Sequence, residues 1–228
     1  MPRRGRVGTT GATPGPPPLE AHARAHRACT RCCAAGLLPR AHPVFSLVAG
    51  ARVLLVGQAP GPVEDDVTRP FAGRAGHQLM RWFERAGLGD EARVRRRIAF
   101  TSMTTCFPGR NRAGTGDRRP SGTEVRLCST WLDGDLSLLK PPLVLAVGGL
   151  AHSRFMPGRR LDELVGRVFD GDGGAVAEPW PGAGRLVLPL PHPSGQSRWL
   201  NDPTRVNLLN NALERLTSLV EWAEACPE

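Results

Sequence analysis

Arg52-Val-Leu-Leu-Val-Gly-Gln-Ala-Pro-Gly61 joins an apolar run to a Gly/Pro turn. A short apolar run ending in Gly, over 52–57, reads as a buried parallel strand. The loop Gly57-Gln58-Ala59-Pro60-Gly61 then lies where open α/β sheets place their ligands. Three further runs have the same character: 98–103, Leu143–Val147 with Gly148-Gly149 beyond its end, and 185–190. In the last of these, Pro189 places the strand's end at a sheet edge or outside the ladder. A helix is expected over 76–86, with Leu79, Phe83 and Ala86 on one face and Gly87 as its stop. The last helix starts near Asp202-Pro203 and turns Leu209, Ala212, Leu213, Leu216, Leu219 and Val220 inward. Strands alternating with helices define an α/β domain whose parallel sheet is covered on both faces.

The 228 residues fit one domain of ordinary size. Met1 to about Pro18 is rich in Gly, Pro, Thr and Arg and reads as a disordered basic tail, so the folded domain is expected over 19–228. The net charge of +9 makes a polyanionic partner a candidate. Nearly all of that charge is Arg, with Lys140 the only lysine, and coding bias is the plainer source. No segment has the apolar length to span a bilayer. The N-terminus lacks the apolar core of a secretory signal, so the expected location is cytoplasmic and no membrane partner is expected. In that compartment the six cysteines read as metal ligands or free thiols, not disulfides.

Cys29-x-x-Cys32 is half of a metal site or a pair of free or redox thiols. Cys106 and Cys128 complete a set of four around an Arg/Gly/Pro-rich loop. Four thiolates hold zinc or an iron–sulfur cluster, and spacing does not separate the two. Cys33 stands beside Cys32 as an alternative ligand, and Cys226 reads as a free thiol.

From Cys29 to the last helix the chain resembles the uracil-DNA glycosylase superfamily, nearest its iron–sulfur family 4 branch. The residues that carry the resemblance are Gly57-Gln-Ala-Pro-Gly61, Glu64-Asp65, Arg69-Pro-Phe-Ala-Gly-Arg-Ala-Gly76, Cys106-Phe-Pro-Gly with Asn111-Arg112, Arg119-Pro-Ser, Glu124, Cys128 and His192-Pro-Ser194. The resemblance implies a three-layer sandwich around a four-stranded parallel sheet. It implies a structural [4Fe–4S] cluster on Cys29, Cys32, Cys106 and Cys128, with zinc as the alternative. It also implies a monomer that acts on DNA containing uracil or another deaminated base, releasing the base to leave an abasic site.

The resemblance also assigns roles. An extruded base needs a snug pocket; Phe71 matches the stacking aromatic, and Gly57 and Ser102 stand at the pocket. His192 matches the histidine that donates to O2 of the departing base, an oxyanion-type contact. The backbone N–H of Gln58 is a second donor, and Ser194 a phosphate anchor. Arg198 is expected on phosphate, and Trp199 or Gln196 in the space the base leaves. Taken without the resemblance, His192 and Phe71 read as ordinary packed residues, and Trp199 as packing under the final helix. The runs Arg93, Arg95, Arg96, Arg97 and Arg110, Arg112, Arg118, Arg119 read first as solvated faces. The second, in the cysteine loop, is the better candidate for phosphate, with Arg118 and Arg119 as contacts.

The chain departs from the family at three places. Gln58 and Ala59 are neutral where the family carries its carboxylate; Glu64, Asp65 or Asp66 are the candidates to replace it. Ser102 stands for the pocket Asn, and a rotating hydroxyl discriminates less between base edges. The loop between Cys106 and Cys128 is longer than usual and lacks the His of a crosslinking sister branch. A glycosylase is the leading expectation. A catalytically weak or silent damaged-DNA binder of the same fold is the alternative, and an unrelated metal scaffold with a small-molecule ligand the third.

Overall fold

The computed structural model describes residues 18–227 except 181, 196 and 197, and except the side chain of Arg198. The tail expected over 1–18 lies, but for Pro18, outside the described residues. Helices α1 (Pro18–Arg27) and α2 (Arg31–Ala34) precede β1 (Val53–Gly57). Then come α3 (Pro62–Val67), α4 (Arg74–Arg85), α5 (Glu91–Arg97), β2 (Ile98–Ser102), α6 (Gly122–Leu139) and β3 (Leu143–Val147). The rest of the chain is α7 (Gly149–Phe155), α8 (Leu161–Leu164), β4 (Val168–Phe169), β5 (Ala175–Val176), β6 (Leu186–Leu190), a 3-10 turn (Arg198–Asn201) and α9 (Pro203–Ala225).

The sheet runs β2-β1-β3-β6-β4-β5. Its first four strands are parallel, in the register Val53↔Ile98, Val53↔Leu143 and Leu143↔Leu186. The expected four-stranded parallel sheet is therefore only part of a six-stranded mixed sheet. Two-residue strands β4 and β5 extend it antiparallel. Sequence pattern does not mark them, because two residues carry no period. Pro189 lies inside β6, opposite Ala146. The missing N–H is tolerated because β4 meets β6 only at Val187.

Side-chain alternation sends neighbours in one strand to opposite cores. Val53 and Leu55 pack with Leu79 and Phe83 of α4 and Leu213 and Leu216 of α9. Leu54 and Val56 pack with Leu132, Leu136 and Leu139 of α6. Each such fully buried side chain contributes roughly 1.5–3 kcal/mol. All six inward residues expected on the last helix are buried. Asp202 caps that helix, accepting from Thr204 N–H at 2.9 Å. No helix among the described residues is long and apolar enough to cross a membrane.

Candidate active site and cysteine pocket

The loops after β1, β3 and β6 and the end of β2 open at the carboxyl edge of the parallel strands, where the chain direction reverses across the sheet. They line a cleft of about 850 Å³ that includes Gln58, Phe71, Ser102, Asp117, His192 and Ser194.

Glycine makes this cleft possible at three points. A Cβ at Gly57 would meet Phe71 Cζ at 2.9 Å and Ser102 Oγ at 3.1 Å. At Gly76 it would lie 1.9 Å from the Phe71 carbonyl oxygen, so α4 can begin only where that position has no side chain. Gly148, at φ +85°, lets His192 approach, since a Cβ there would sit 3.2 Å from His192 Cδ2. Phe71 itself holds a left-handed φ of 53°, a conformation unfavourable for a side chain of that size. Arg95 stabilises it by donating to the Phe71 carbonyl at 3.2 Å while lying 5.2 Å over the Phe100 ring. Arg95 belongs to a run whose composition suggests a solvated face; no periodic signal marks it as a buttress. Its neighbour Arg97 is a bidentate partner of Glu224, at 2.7 and 2.8 Å.

His192 is half-buried, and its Nδ1 faces Ser194. The Ser194 backbone N–H donates to Nδ1 at 3.3 Å. A backbone amide can only donate, so Nδ1 is the acceptor and the proton of the neutral ring sits on Nε2. Burial lowers the His192 pKa below its ordinary value, against a smaller opposing pull from Glu64. The buried His152, which no sequence motif marks, ties the β3 and β6 ends beneath this loop. Its Nε2–H is shared between the carbonyls of Ala146 at 2.9 Å and Leu190 at 3.0 Å.

The three acidic candidates separate clearly. Asp65 is turned away, held by Arg40 and by His42 Nδ1 at 3.0 Å. Asp66 is exposed and does not line the cleft. Glu64 does line it, and braces two turns: its Oε2 accepts from Gly61 N–H at 3.0 Å and its Oε1 from Gly73 N–H at 2.8 Å. A fourth carboxylate, Asp117, reaches the cleft from the cysteine loop. Asp117 pairs with Arg110 at 3.3 Å. Partial burial raises the Asp117 pKa, with Arg110 opposing and Glu64 reinforcing. Sequence distance hides Asp117, since only the fold of the insert carries it there.

The insert is pinned by Arg118, whose guanidinium grips Glu124 at 2.6 and 2.7 Å. Arg118 is therefore engaged within the domain, while Arg119 is exposed. Trp199 donates its indole N–H to Asp162 at 2.5 Å, with Arg205 5.9 Å over its ring. It is not among the residues lining the cleft. Gln196 lies outside the described residues.

Cys29 after α1, Cys32 in α2, Cys106 after β2 and Cys128 in α6 line one pocket with Thr105, Glu124 and Leu127. Cys33 is not part of that lining. Burial, reinforced by the neighbouring cysteines, pushes Cys32 up to about 11 and, over a hydrogen bond that opposes it, Cys106 up to about 12. Thiols crowded in this way yield their protons to a bound cation. Outer donors are in place: Trp131 Nε1–H reaches Cys29 Sγ at 3.2 Å, and the Thr105 hydroxyl lies 3.7 Å from Cys128 Sγ. Zinc needs its sulfurs about 3.8 Å apart, from tetrahedral bonds of about 2.3 Å. No three of these sulfurs gather within 4.8 Å among the described residues. Zinc finds no support in that spacing.

Fold and site together define a doubly wound α/β domain with a ligand cleft at its carboxyl edge and a separate four-cysteine pocket. A family model described as the uracil DNA glycosylase superfamily matches residues 45–217. The chain belongs to that superfamily. It is 29% identical over 145 residues to a type-4 uracil-DNA glycosylase of Thermotoga maritima, covering 63% of this chain and 65% of the relative. It is 36% identical over 125 residues to a type-4 uracil-DNA glycosylase of Pyrobaculum aerophilum, covering 52% and 58%. A type-5 uracil-DNA glycosylase of Thermus thermophilus is 30% identical over 175 residues, covering 72% and 74%. The chain thus spans 65% and 58% of the length of the two type-4 relatives.

Proposed function

We propose that this protein is a DNA glycosylase that hydrolyses the N-glycosidic bond of uracil, or of another deaminated base, in DNA. The observation that carries the reading is the protonation pattern of His192: Nδ1 occupied by Ser194 N–H and a pKa lowered by burial. The ring is then neutral near pH 7, with a single proton on Nε2. A fixed neutral donor suits the negative charge that builds on a pyrimidine O2 as its bond to the sugar lengthens. Loss of one such donor costs a factor of about 10² to 10³.

The base would be extruded and stacked on Phe71 between Gly57 and Ser102, with Ser194 on a neighbouring phosphate. Water oxygen bonds to C1′, the C1′–N1 electron pair leaves with the base, and the departing base takes up a proton. The sugar passes through an oxocarbenium-like state that a nearby negative charge favours. Gln58 and Ala59 supply none, so Glu64 and Asp117, the carboxylates lining the cleft, are assigned that field. Cys29, Cys32, Cys106 and Cys128 would hold a [4Fe–4S] cluster that braces α1, α2 and α6 and takes no part in the chemistry. Arg119 and Arg198 are the proposed phosphate contacts. Arg118 positions the insert through Glu124, and Trp199 anchors its loop through Asp162.

The test is base release from oligonucleotides carrying one uracil, hypoxanthine or xanthine, using cluster-replete protein and His192→Ala. Release that His192→Ala lowers by at least about 10² supports the reading. No release, with tighter binding to uracil-DNA than to plain DNA, would make the chain a damaged-DNA binder, the reading that neutral Gln58 and Ala59 favour.

A further inference from the structure

Helices α1 and α6 cross beside the cysteine pocket. His22 and His26 stand one turn apart on α1 and share a face, with Asp135 of α6 opposite. Gly134 makes the approach possible, since a Cβ there would lie 2.3 Å from His22 Cε1. His22 Nε2 lies 2.9 Å from Asp135 Oδ1. The His26 ring is stacked on Phe45 and on Trp131, with centroids 4.1 and 4.6 Å away. Its Nε2 meets the Thr105 hydroxyl at 2.8 Å.

His26 and Asp135 are both fully buried, at 0% exposure. Yet His26 Nδ1 has no hydrogen-bond partner among the described residues, whereas Asp135 faces the Thr101 hydroxyl as well as His22. Leaving a buried atom such as Nδ1 unpaired costs about 1–3 kcal/mol. One ligand atom from each of the three residues lies within 4.8 Å of the other two. A shared cation about 2.1 Å from each atom closes that gap with small side-chain shifts.

We propose that His22, His26 and Asp135 form a second metal site, for a divalent first-row cation of the zinc type, that staples α1 to α6. Two imidazoles and one carboxylate suit such an ion; an all-oxygen set would suit magnesium or calcium, and thiolates a cluster. The metal-binding tautomer is the one in which Nε2 donates to Thr105, which leaves the Nδ1 lone pair of His26 for the ion. Thr105 acts as the outer partner that orients the ring.

The experiment uses the full chain with its cluster. After equilibration with zinc chloride and gel filtration, zinc and iron are counted per chain and the zinc X-ray absorption spectrum is recorded. The expected result is one zinc with nitrogen and oxygen ligands at about 2.0–2.1 Å, imidazole scattering and no sulfur shell at about 2.3 Å. His22→Gln and Asp135→Asn should lower zinc retention at least tenfold while iron stays constant. Wild-type protein that retains no zinc overturns the proposal. So does a sulfur shell, which would put the ion on cysteine, and so does equal retention by both variants. The spectrum is read on wild type, so the outcome does not depend on a variant folding.

Discussion

Arg118→Gln should weaken the fold far more than it weakens DNA binding. The guanidinium is the largest cause holding Glu124 from 4.5 down to about 2, with Ser121 adding to it. A carboxyl carried that far corresponds to about 3 kcal/mol of stability at neutral pH. Part of this belongs to Ser121, and the Arg118 side chain is 31% exposed, which screens the pair. The expected loss is then about 2 kcal/mol at pH 7. The sign with pH follows from the depressed value. Below pH 4.5 the unfolded chain protonates Glu124 while the folded chain does not, so the contribution fades as pH falls and is nearly gone at about 2. Urea unfolding of wild type and Arg118→Gln across that range reads the gap directly. It should narrow steadily with acid. Arg119→Gln is the control: it should leave stability unchanged and reduce the salt slope of DNA binding by about 0.9. Equal stability of Arg118→Gln and wild type at pH 7, or a gap that does not change with pH, would refute the assignment.

Other outcomes follow from the same geometry. Gly148→Ala forces a side chain into a φ of +85° against His192, so excision should fall at least about tenfold with a stability loss of about 1–2 kcal/mol, read by single-turnover kinetics and thermal unfolding. Gly76→Ala meets the Phe71 carbonyl at 1.9 Å and should cost about 3 kcal/mol in urea unfolding; a neutral result would show that α4 can shift freely. Ser102→Asn replaces a rotating hydroxyl with a fixed amide, and should shift the ratio of uracil to hypoxanthine release toward uracil; an unchanged ratio would remove Ser102 from the pocket. Because burial lowers the His192 pKa, base release should stay level as pH falls through 6.5 and decline only in more acid solution. A decline centred at or above 6.5 would mean that the ring is not buried in the working complex.

Much of the site is legible in the sequence because its residues sit at strand ends or in short motifs. Gly57, Gln58, Phe71, Ser102, His192 and Ser194 stand in or against the cleft that the sheet's carboxyl edge creates. The four cysteines share one pocket, and of Cys32 and Cys33 it is Cys32 that lines it. Arg118 illustrates the limit. A run of arginines looks the same whether it faces phosphate or grips Glu124, since charge density in the chain says nothing about the partner. Asp117 and Arg95 illustrate it from the other side. Neither belongs to a recognisable motif, and each acquires its role only when a loop or helix folds back onto the first strand's turn.

The alternation of apolar strands and amphipathic helices, the positions of the turns after them, and the chemical types available at the cleft are written in the amino-acid order. Those are local properties, written in periods of two and 3.6 and in Gly and Pro. The two added antiparallel strands, the tautomer of His192, the carboxylates that face the cleft, and the meeting of His22, His26 and Asp135 emerge only on folding. Each of these depends on distance and burial between residues far apart in the chain, and burial sets whether a polar atom is a paired brace, a shifted acid or an open ligand.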